Sequence, residues 1–277
     1  MTNLPDVTLV CVDTRTPERA LQAIAHCTAG LRFAEVLLFT EGARLAMPPP
    51  GVTLVELALD SVTAYSQFML RGLLPHIRTS HCLIVQWDGY VLDARQWDAN
   101  WLQYDYIGAL FRGVTGPRAV GNGGFSLRSR RLLLALQDPT MAIHHPEDVC
   151  ICHTNRDRLE HVHAIRFAPP EVAAHFAFER VEPTGPTFGF HGLFNFHRVM
   201  APAALCGWLA DLPDAMAAGL DGHDLCRALI DADGLDAAHL LLAKRWRHGL
   251  RDRRTWRLRL LLAWAKWRRR PSTRLPP

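Results

Sequence analysis

Short apolar runs alternate with helical segments over the first 90 residues. Four runs are typical of buried strands: residues 7–12, 36–40, 52–57 and 81–86. Helices are expected between them, from Pro17 to about Thr28, where Thr16 is a candidate N-cap, and over residues 61–74. This alternation predicts an α/β protein with a doubly wound sheet, in which ligands bind at the carboxyl ends of the strands.

Two acidic residues follow predicted strands. Asp13 comes after the first strand, and Asp88 comes after the fourth, within Gln86-Trp87-Asp88-Gly89. A carboxylate just past a buried strand could hold a hard divalent cation through its oxygens. An aspartate that only shapes a turn is the more frequent explanation for such a motif when it stands alone.

A glycine-rich loop, Gly121-Asn122-Gly123-Gly124, precedes three arginines and a run of helical spacing over residues 127–136. Closely spaced glycines allow positive φ angles or a close approach to a ligand. A loop that leads into a helix could present backbone N–H groups to an anion. A plain tight turn explains the pattern equally well.

Further along the chain, Glu147 and Asp148 precede an apolar run, and His191 lies among glycines and phenylalanines. The acidic pair could complement a helix N-terminus, or it could supply a general base for a reaction. A single histidine is more often structural than a ligand, so His191 alone indicates little.

Charge is distributed unevenly along the chain. Residues 244–277 contain 13 of the 31 Lys and Arg residues and one acid, Asp252, which leaves 18 basic and 26 acidic residues in the rest. Apolar residues make up 49% and charged residues 21%, as in ordinary globular proteins. A nucleic-acid-binding protein more often spreads its positive charge over the folded domain, so we expect no nucleic-acid partner.

The seven cysteines are scattered and odd in number, which favours buried, reduced thiols over a disulfide framework. Zinc at Cys150, Cys152 and His153 is a weaker alternative, because no second pair of ligands follows. The sequence shows no secretory signal and no apolar run of membrane-spanning length, and it therefore predicts a cytoplasmic protein.

From about residue 201 the chain is rich in Ala and Leu and predicts helices. Arginines in residues 251–270 alternate with large apolar side chains near one helical face: Trp256, Leu260, Trp264 and Trp267. Leu258 and Leu262 fall elsewhere, so the stripe is imperfect. Peripheral contact with the inner face of an anionic membrane and packing against the rest of the protein explain this segment equally well.

Five motifs in order, QWDGYV, YDYIGA, VGNGGFSLRSRR, HPEDV and FGFHG, resemble an uncharacterised microbial domain family assigned to the GT-A fold of glycosyltransferases. The resemblance covers about residues 5–198. It implies an α/β, GT-A-like mixed sheet flanked by helices, with a C-terminal helical extension. The expected domains are residues 1–200, which bind a nucleotide sugar, and residues 201–277, which end in the basic helix.

The resemblance implies a role for each motif. Asp88 matches the last acid of a metal-binding D-x-D element and His191 matches the histidine that completes the site, with Mn²⁺ or Mg²⁺ as the cofactor. Asp148, with Glu147 beside it, matches the catalytic base. Residues matching the nucleotide-sugar site are Val12, Asp13, Thr14, Gln86, Trp87, Asp88, Asn122, Gly123 and Gly124. Gln86 replaces the first acid of D-x-D, which weakens the expected metal site.

The resemblance therefore implies a glycosyltransferase that moves a sugar from a nucleotide-diphosphate sugar to a glycan, lipid-linked or protein acceptor, with polysaccharide biosynthesis as its setting. Either stereochemical outcome is compatible with the motifs, and inversion follows if Asp148 is the base. Gln86 motivates an alternative, a GT-A-like module that binds its ligand without turnover. A nucleotidyltransferase, which also uses a glycine loop and a metal-binding acid, is a further alternative.

Overall fold

The computed structural model describes residues 1–42, 45 and 48–269 of the 277-residue chain. The chain divides into two compact units, one from Met1 to His191 and the other beginning at Gly192. This division comes nine residues before the boundary expected after residue 200. Among the described residues, every helix is too short or too polar to traverse a lipid bilayer.

The first unit is built on a six-stranded sheet. Its strands are β1 (Thr2–Val12), β2 (Leu31–Thr40), β3 (Thr53–Glu56), β4 (His81–Val85), β5 (Tyr106–Gly108) and β6 (Ser126–Ser129). They lie in the order β3-β2-β1-β4-β6-β5, and β1 to β4 are parallel to one another. β6 is antiparallel to both β4 and β5, so the sheet is mixed. A second, two-stranded sheet pairs β7 (Ala177–Phe178) with β8 (Gly189–Phe190).

The helices of the first unit are α1 (Pro17–Thr28), α2 (Val62–Gln67), α3 (Arg130–Ala135), α4 (Glu147–Val149), α5 (Arg156–His161) and α6 (Pro170–Phe176). A π-helical turn extends α2 over Phe68–Gly72, and a second one follows α4 over Cys150–Thr154. The predicted bounds of α1 are confirmed, and Thr16 lies at its N-cap. The Thr16 side chain makes no capping hydrogen bond, because its hydroxyl donates to Asp13 instead.

Side-chain alternation along the strands creates two apolar faces of the sheet. One face forms a single cluster with the residues that follow α2 and with α3: Val10, Val12, Leu37, Phe39, Met69, Leu73, Ile77, Cys82, Ile84 and Leu133. α1 packs against β1 and β2 and buries Ala20, Ala23 and Ile24. Burying a large aliphatic or aromatic side chain stabilises a protein by about 1.5–3 kcal/mol, so these layers fix the sheet.

The helix predicted over residues 127–136 is wrong in its first part. Ser126–Ser129 is strand β6, in which Leu127 lies opposite Leu83 of β4 and Ile107 of β5. The helix begins only at Arg130, where the Ser129 hydroxyl caps it by accepting the N–H of Leu132 at 2.9 Å. Pairing on both edges and full burial outweigh the local helical spacing. The glycine loop thus leads into a strand, so the alternative in which it feeds an anion-binding helix N-terminus is wrong.

The second unit is helical, as expected. Its helices are α7 (Phe196–Val199), α8 (Pro202–Ala210), α9 (Asp214–Ala218), α10 (Leu220–Asp231), α11 (Leu235–Arg247) and α12 (Arg253–Arg268). Arg245 of α11 is buried and donates to the carbonyls of Ala217, Ala218 and Gly219, which ties α11 to the end of α9. Of the basic segment predicted at residues 251–270, Arg270 lies outside the described residues. The mixed sheet, its flanking helices and the helical extension confirm the predicted fold class.

All seven cysteines are free thiols, and six of them are buried, Cys206 being partly exposed. Burial raises the pKa of the Cys27 thiol and of the Cys82 thiol to about 12. We predict that a water-soluble thiol reagent labels one cysteine in the native protein at neutral pH and all seven in denaturant, because the reactive thiolate is suppressed and shielded elsewhere. Cys206→Ser should abolish the native labelling, and two or more rapidly labelled native thiols would contradict the burial.

Candidate active site

Three segments that carry predicted site residues meet at one edge of the sheet. β1 and β4 are parallel neighbours, with Cys11 beside Val85, so both strands end at this edge. β6 is antiparallel to β4, with Ile84 opposite Ser126, so the chain enters β6 from the same edge. The topology thereby brings the end of β1, the turn after β4 and the glycine loop together.

The turn after β4 is closed by two backbone hydrogen bonds. Gln86 N–H donates to the Gly89 carbonyl at 3.0 Å, and Gly89 N–H donates to the Gln86 carbonyl at 3.0 Å. Trp87 and Asp88 occupy the tip of this turn, and Asp88 is buried. These two hydrogen bonds therefore fix the backbone positions from which the Gln86 and Asp88 side chains extend.

Four polar side chains, Gln86, Asp88, Asn122 and His191, form what we call the histidine cluster. His191 directly follows β8, and its ring connects the other members. Nδ1 lies 3.2 Å from Asn122 Nδ2, and Nε2 lies 3.0 Å from Gln86 Oε1 and 3.6 Å from Asp88 Oδ1. The predicted metal pair Asp88–His191 is thus adjacent in space, although 103 positions separate the two residues in sequence.

The orientation of the Asn122 amide decides which tautomer of His191 the hydrogen bonds of the cluster favour. Asn122 Nδ2 donates to Nδ1, so Nε2 carries the proton and donates to Gln86 Oε1. Asn122 Oδ1 is buried and has no hydrogen-bond partner among the described residues. Exchanging the amide oxygen and nitrogen of Asn122 would let Oδ1 accept from an Nδ1–H, which leaves the Nε2 lone pair for a ligand. Asn122 can therefore hold either tautomer of His191.

The donor atoms of the histidine cluster are of kinds that bind a divalent cation, and together they carry a single negative charge, that of Asp88. A carboxylate from Asp88, the His191 imidazole and the amide oxygen of Gln86 are all ligands that Mn²⁺ accepts. Within the part of the chain that is described, no three His, Cys, Asp or Glu side chains form a group that could hold a metal. The cluster thus resembles a one-acid site, in which Gln86 contributes a neutral oxygen.

The glycines around the cluster make room for the imidazole ring. A Cβ on Gly124 would lie 2.1 Å from His191 Nε2, and one on Gly89 would lie 2.8 Å from Cδ2. Neither glycine has a positive φ; in the loop it is Asn122 that takes this conformation, at 57°. Here glycine is required for close packing against a side chain rather than for backbone freedom.

The acidic pair lies on the other side of the same loop. Asp148 is half-buried, its Oδ2 accepts the Gly123 N–H at 3.2 Å, and its Oδ1 accepts the Val149 N–H at 2.8 Å. These two bonds orient the carboxylate. Gly123 is again a packing glycine, because a Cβ there would lie 2.2 Å from Glu147 Oε1.

Glu147 is the partner of a buried cation. Arg128 of β6 is fully buried, and its Nη2 donates to Glu147 Oε1 at 3.2 Å and to the Gly123 carbonyl at 3.2 Å. Its Nε donates to the Ser126 hydroxyl at 3.0 Å. Glu147 therefore neutralises Arg128, whereas Asp148 accepts backbone N–H groups and, among the described residues, forms no ion pair.

Asp13 lies at the same edge and has a structural task of its own. Its Oδ1 accepts the N–H of Arg15 at 2.8 Å and of Thr16 at 2.7 Å, and its Oδ2 accepts the Thr16 hydroxyl at 2.9 Å. The carboxylate thus holds the turn that leads into α1. Val12 and Thr14 on either side are buried.

The pKa of the Cys11 thiol is raised by its surroundings at this edge. Burial raises the pKa of Cys11 well above its usual value, and the nearby carboxylates of Asp13 and Asp88 raise it further. Asp13 and Asp88 follow the ends of β1 and β4, the position in which an open α/β sheet binds its ligands.

Sequence reasoning missed two site residues. The Tyr65 hydroxyl of α2 accepts from Gln86 Nε2 at 2.8 Å, and burial, together with the charge of Glu147, raises the pKa of the Tyr65 phenol. Nothing in the local pattern distinguishes Tyr65 from a core tyrosine. Arg128 was missed because the sequence predicts a helix over residues 127–136, whereas an arginine on a strand buried between two others must have an anion beside it.

The zinc alternative has no support in the site. Cys150 Sγ donates to the Ala142 carbonyl at 3.0 Å, and the His153 ring lies against Phe111 with its centroid 5.0 Å away. These side chains therefore have ordinary packing partners.

A sequence profile of the family described as "Protein of unknown function (DUF5672)" matches residues 52–191. The chain belongs to the DUF5672 family. The match includes the whole histidine cluster, the glycine loop and the acidic pair, whereas residues 12–14 lie before it. The prediction of an uncharacterised domain family is thereby confirmed. No curated protein matches the chain at the sequence level.

Two solved structures are similar to this DUF5672 protein at a distance. An active-site mutant of LgtC has 12% identity and a TM-score of 0.40, with 66% of this chain and 86% of that chain covered. The mannosyltransferase PcManGT from Pyrobaculum calidifontis, in complex with GDP-Man and Mn²⁺, has 15% identity and a TM-score of 0.40, with 95% and 77% covered. These similarities concern the fold alone.

Gly124→Ala tests the packing of the ring. The added methyl group would overlap His191 Nε2, so the ring must move away from Gln86 and Asp88, with an expected loss of about 1–3 kcal/mol in the free energy of unfolding. Gly185→Ala is the matched control, because no atom lies within 4 Å of its Cβ position and its φ is not positive. Urea unfolding of both variants measures the difference, and equal stabilities would contradict the packing.

Glu147→Gln tests the buried ion pair. Removing the negative charge leaves Arg128 buried without a counter-ion, which should cost about 3–5 kcal/mol of unfolding free energy. Asp148→Asn should cost under about 1 kcal/mol, since the amide oxygen still accepts the Gly123 N–H. Denaturant unfolding of the two variants ranks them, and the reverse order would show that Asp148 is the counter-ion.

Proposed function

We propose that this DUF5672 protein is a glycosyltransferase that uses a nucleotide-diphosphate sugar as the donor. One observation carries the proposal: two consecutive residues of the glycine loop bond to the candidate metal ligand His191 and to the candidate base Asp148. Asn122 bonds to His191 of the histidine cluster at 3.2 Å, and Gly123 bonds to Asp148 at 3.2 Å. A candidate cation site and a candidate base thus lie on either side of a glycine-lined loop.

In the proposed step, an acceptor hydroxyl oxygen attacks the anomeric carbon of the donor sugar. The hydroxyl proton passes to the Asp148 carboxylate, and the bond from the anomeric carbon to the diphosphate oxygen breaks, with its electron pair leaving on the nucleoside diphosphate. The Gly123 and Val149 N–H groups hold Asp148 in position for this transfer. Attack opposite the leaving group would invert the anomeric configuration.

The leaving diphosphate gains negative charge, so the site needs a cation beside it. Asp88 and His191 would hold Mn²⁺ or Mg²⁺, which supplies that charge when bound. Gln86 is positioned by Tyr65, so its amide oxygen points to His191 and can complete the ligand set. With one carboxylate, we expect weaker metal binding than a two-acid site would give.

The nucleotide is proposed to lie along the end of β1 and the turn after β4. Val12, Asp13 and Thr14 would border the base and ribose, and Trp87, which is half-buried, lies at the tip of the turn beside them. A glycan, lipid-linked or protein acceptor would approach the loop from the side of Asp148.

Gln86 also supports a second candidate, a GT-A-like module that binds a nucleotide sugar without transferring it. Losing one carboxylate weakens the binding of the cation that a transfer reaction relies on, but it leaves the other residues of the proposed nucleotide site in place. The two candidates differ in turnover alone.

Asp148→Asn separates these candidates. With nucleotide sugars, Mn²⁺ and a panel of acceptors, the native protein should release nucleoside diphosphate, and the variant should lose at least about 100-fold in rate, in line with the loss of a general base. Affinity for the nucleotide sugar should be unchanged, because Asp148 is proposed to act on the acceptor.

Three results would count against the proposal. Unchanged turnover in Asp148→Asn would remove Asp148 as the base. Binding without any product from the native protein would favour the binding module. Release of pyrophosphate in place of a nucleoside diphosphate would identify a nucleotidyltransferase.

A further inference from the structure

Helix α12 (Arg253–Arg268) has no acidic residue within it, and all of its charged side chains are cationic. The Asp252 carboxylate caps its first turn by accepting the Thr255 N–H at 2.8 Å. α12 packs against α10 and α11 of the second unit. Because α12 is capped and packed, its side chains occupy defined positions relative to α10 and α11.

The helix has two apolar faces. Thr255, Leu258 and Leu262 are buried and form the face that packs on the second unit. The opposite face carries four exposed apolar side chains: Trp256 at 48% exposure, Leu260 at 69%, Trp264 at 55% and Trp267 at 65%. At 3.6 residues per turn these four span an arc of about 80°, so they form one stripe. The imperfect stripe of the sequence is therefore two separate faces.

Cations border the exposed stripe on both sides. Helical geometry places Arg257 and Arg268 along one border and Arg259 and Lys266 along the other. Arg259 lies over the Trp256 ring at 4.9 Å, and Arg268 lies over the Trp264 ring at 4.7 Å. These contacts place one guanidinium against each of the two rings.

Three exposed tryptophans on one stripe are costly in water, because each ring carries about 150–250 Å² of mostly apolar surface. Tryptophan is favoured at the boundary between lipid headgroups and acyl chains, where its ring is buried and its N–H stays hydrated. Arginine and lysine at the borders can reach anionic headgroups while their stems lie along the apolar stripe. The composition matches an interfacial helix rather than a helix that binds another protein through a neutral face.

We propose that α12 docks on the surface of an anionic lipid bilayer, with Trp256, Leu260, Trp264 and Trp267 inserted at the headgroup boundary. The proposal does not rest on the proposed glycosyl transfer, since it uses no residue of the first unit. A membrane surface would give such an enzyme direct access to a lipid-linked acceptor.

Co-sedimentation of the full chain with vesicles tests the docking. We expect binding to vesicles of phosphatidylcholine with phosphatidylglycerol, little binding to phosphatidylcholine alone, and weaker binding as salt rises, because each basic residue contributes through screened attraction. The double variant Trp264→Ala/Trp267→Ala should reduce the partition coefficient at least about tenfold, from lost apolar burial.

Leu260→Ala and Leu220→Ala form a matched pair. Both leucines lie on helices of the second unit and are similarly exposed, at 69% and 63%. Leu260→Ala should weaken vesicle binding about fivefold or more, and Leu220→Ala should leave it unchanged. Far-UV circular dichroism and thermal unfolding check that all of the variants are folded.

Two outcomes would overturn the proposal. The first is equal vesicle binding by the native chain and the double tryptophan variant, or no binding by either. The second is tight binding of a single-stranded oligonucleotide that competes with vesicles and abolishes their binding. If the tryptophan variant still bound the oligonucleotide, the arginines would be assigned to nucleic-acid binding.

Discussion

A single buried guanidinium organises the site. Arg128 lies in the middle of strand β6 with no exposed surface, and a charge in that position must find an anion and hydrogen-bond acceptors within reach. It finds Glu147, the carbonyl of Gly123 and the hydroxyl of Ser126. These bonds tie the acidic pair to the glycine loop, and the loop in turn bonds to Asp148 and His191.

The strand order gives this interaction its place. β6 is antiparallel between β4 and β5, so the loop that enters it lies beside the turn after β4. The parallel pairing of β1 with β4 then adds Asp13 to the same edge. Local sequence patterns predict the early strands and α1, because continuous apolar runs and Pro17 are strong local signals. They predict a helix over residues 127–136, which is wrong for residues 127–129, because Leu and Arg favour helices when burial between two strands is unknown.

The sequence predicts which residues belong to the candidate site better than it predicts which of them contact one another. The resemblance of five motifs singled out Asp88 and His191, and the structure brings the two within 3.6 Å of each other. The reasons for the glycines were not predictable, since the ring that requires Gly124 comes from a residue 67 positions later. Tyr65 was missed for the same reason, because its meaning comes entirely from its bond to Gln86. In α12, by contrast, the apolar residues of both faces are evident in the sequence. The structure is needed to show that the face with Leu258 and Leu262 is buried and the face with the tryptophans is exposed.

We propose that the edge formed by β1, β4 and the glycine loop binds a nucleotide through a cation held by Asp88 and His191. Thermal unfolding against a panel of nucleoside diphosphates, with and without Mn²⁺, tests this binding. We expect one nucleotide to stabilise the native protein in the presence of Mn²⁺, by about 2.7 kcal/mol at 100 times its dissociation constant. The stabilisation should vanish in Asp88→Ala and persist in Asp60→Ala, which removes an exposed carboxylate elsewhere. Stabilisation that survives Asp88→Ala, or its absence with every nucleotide, would contradict the account.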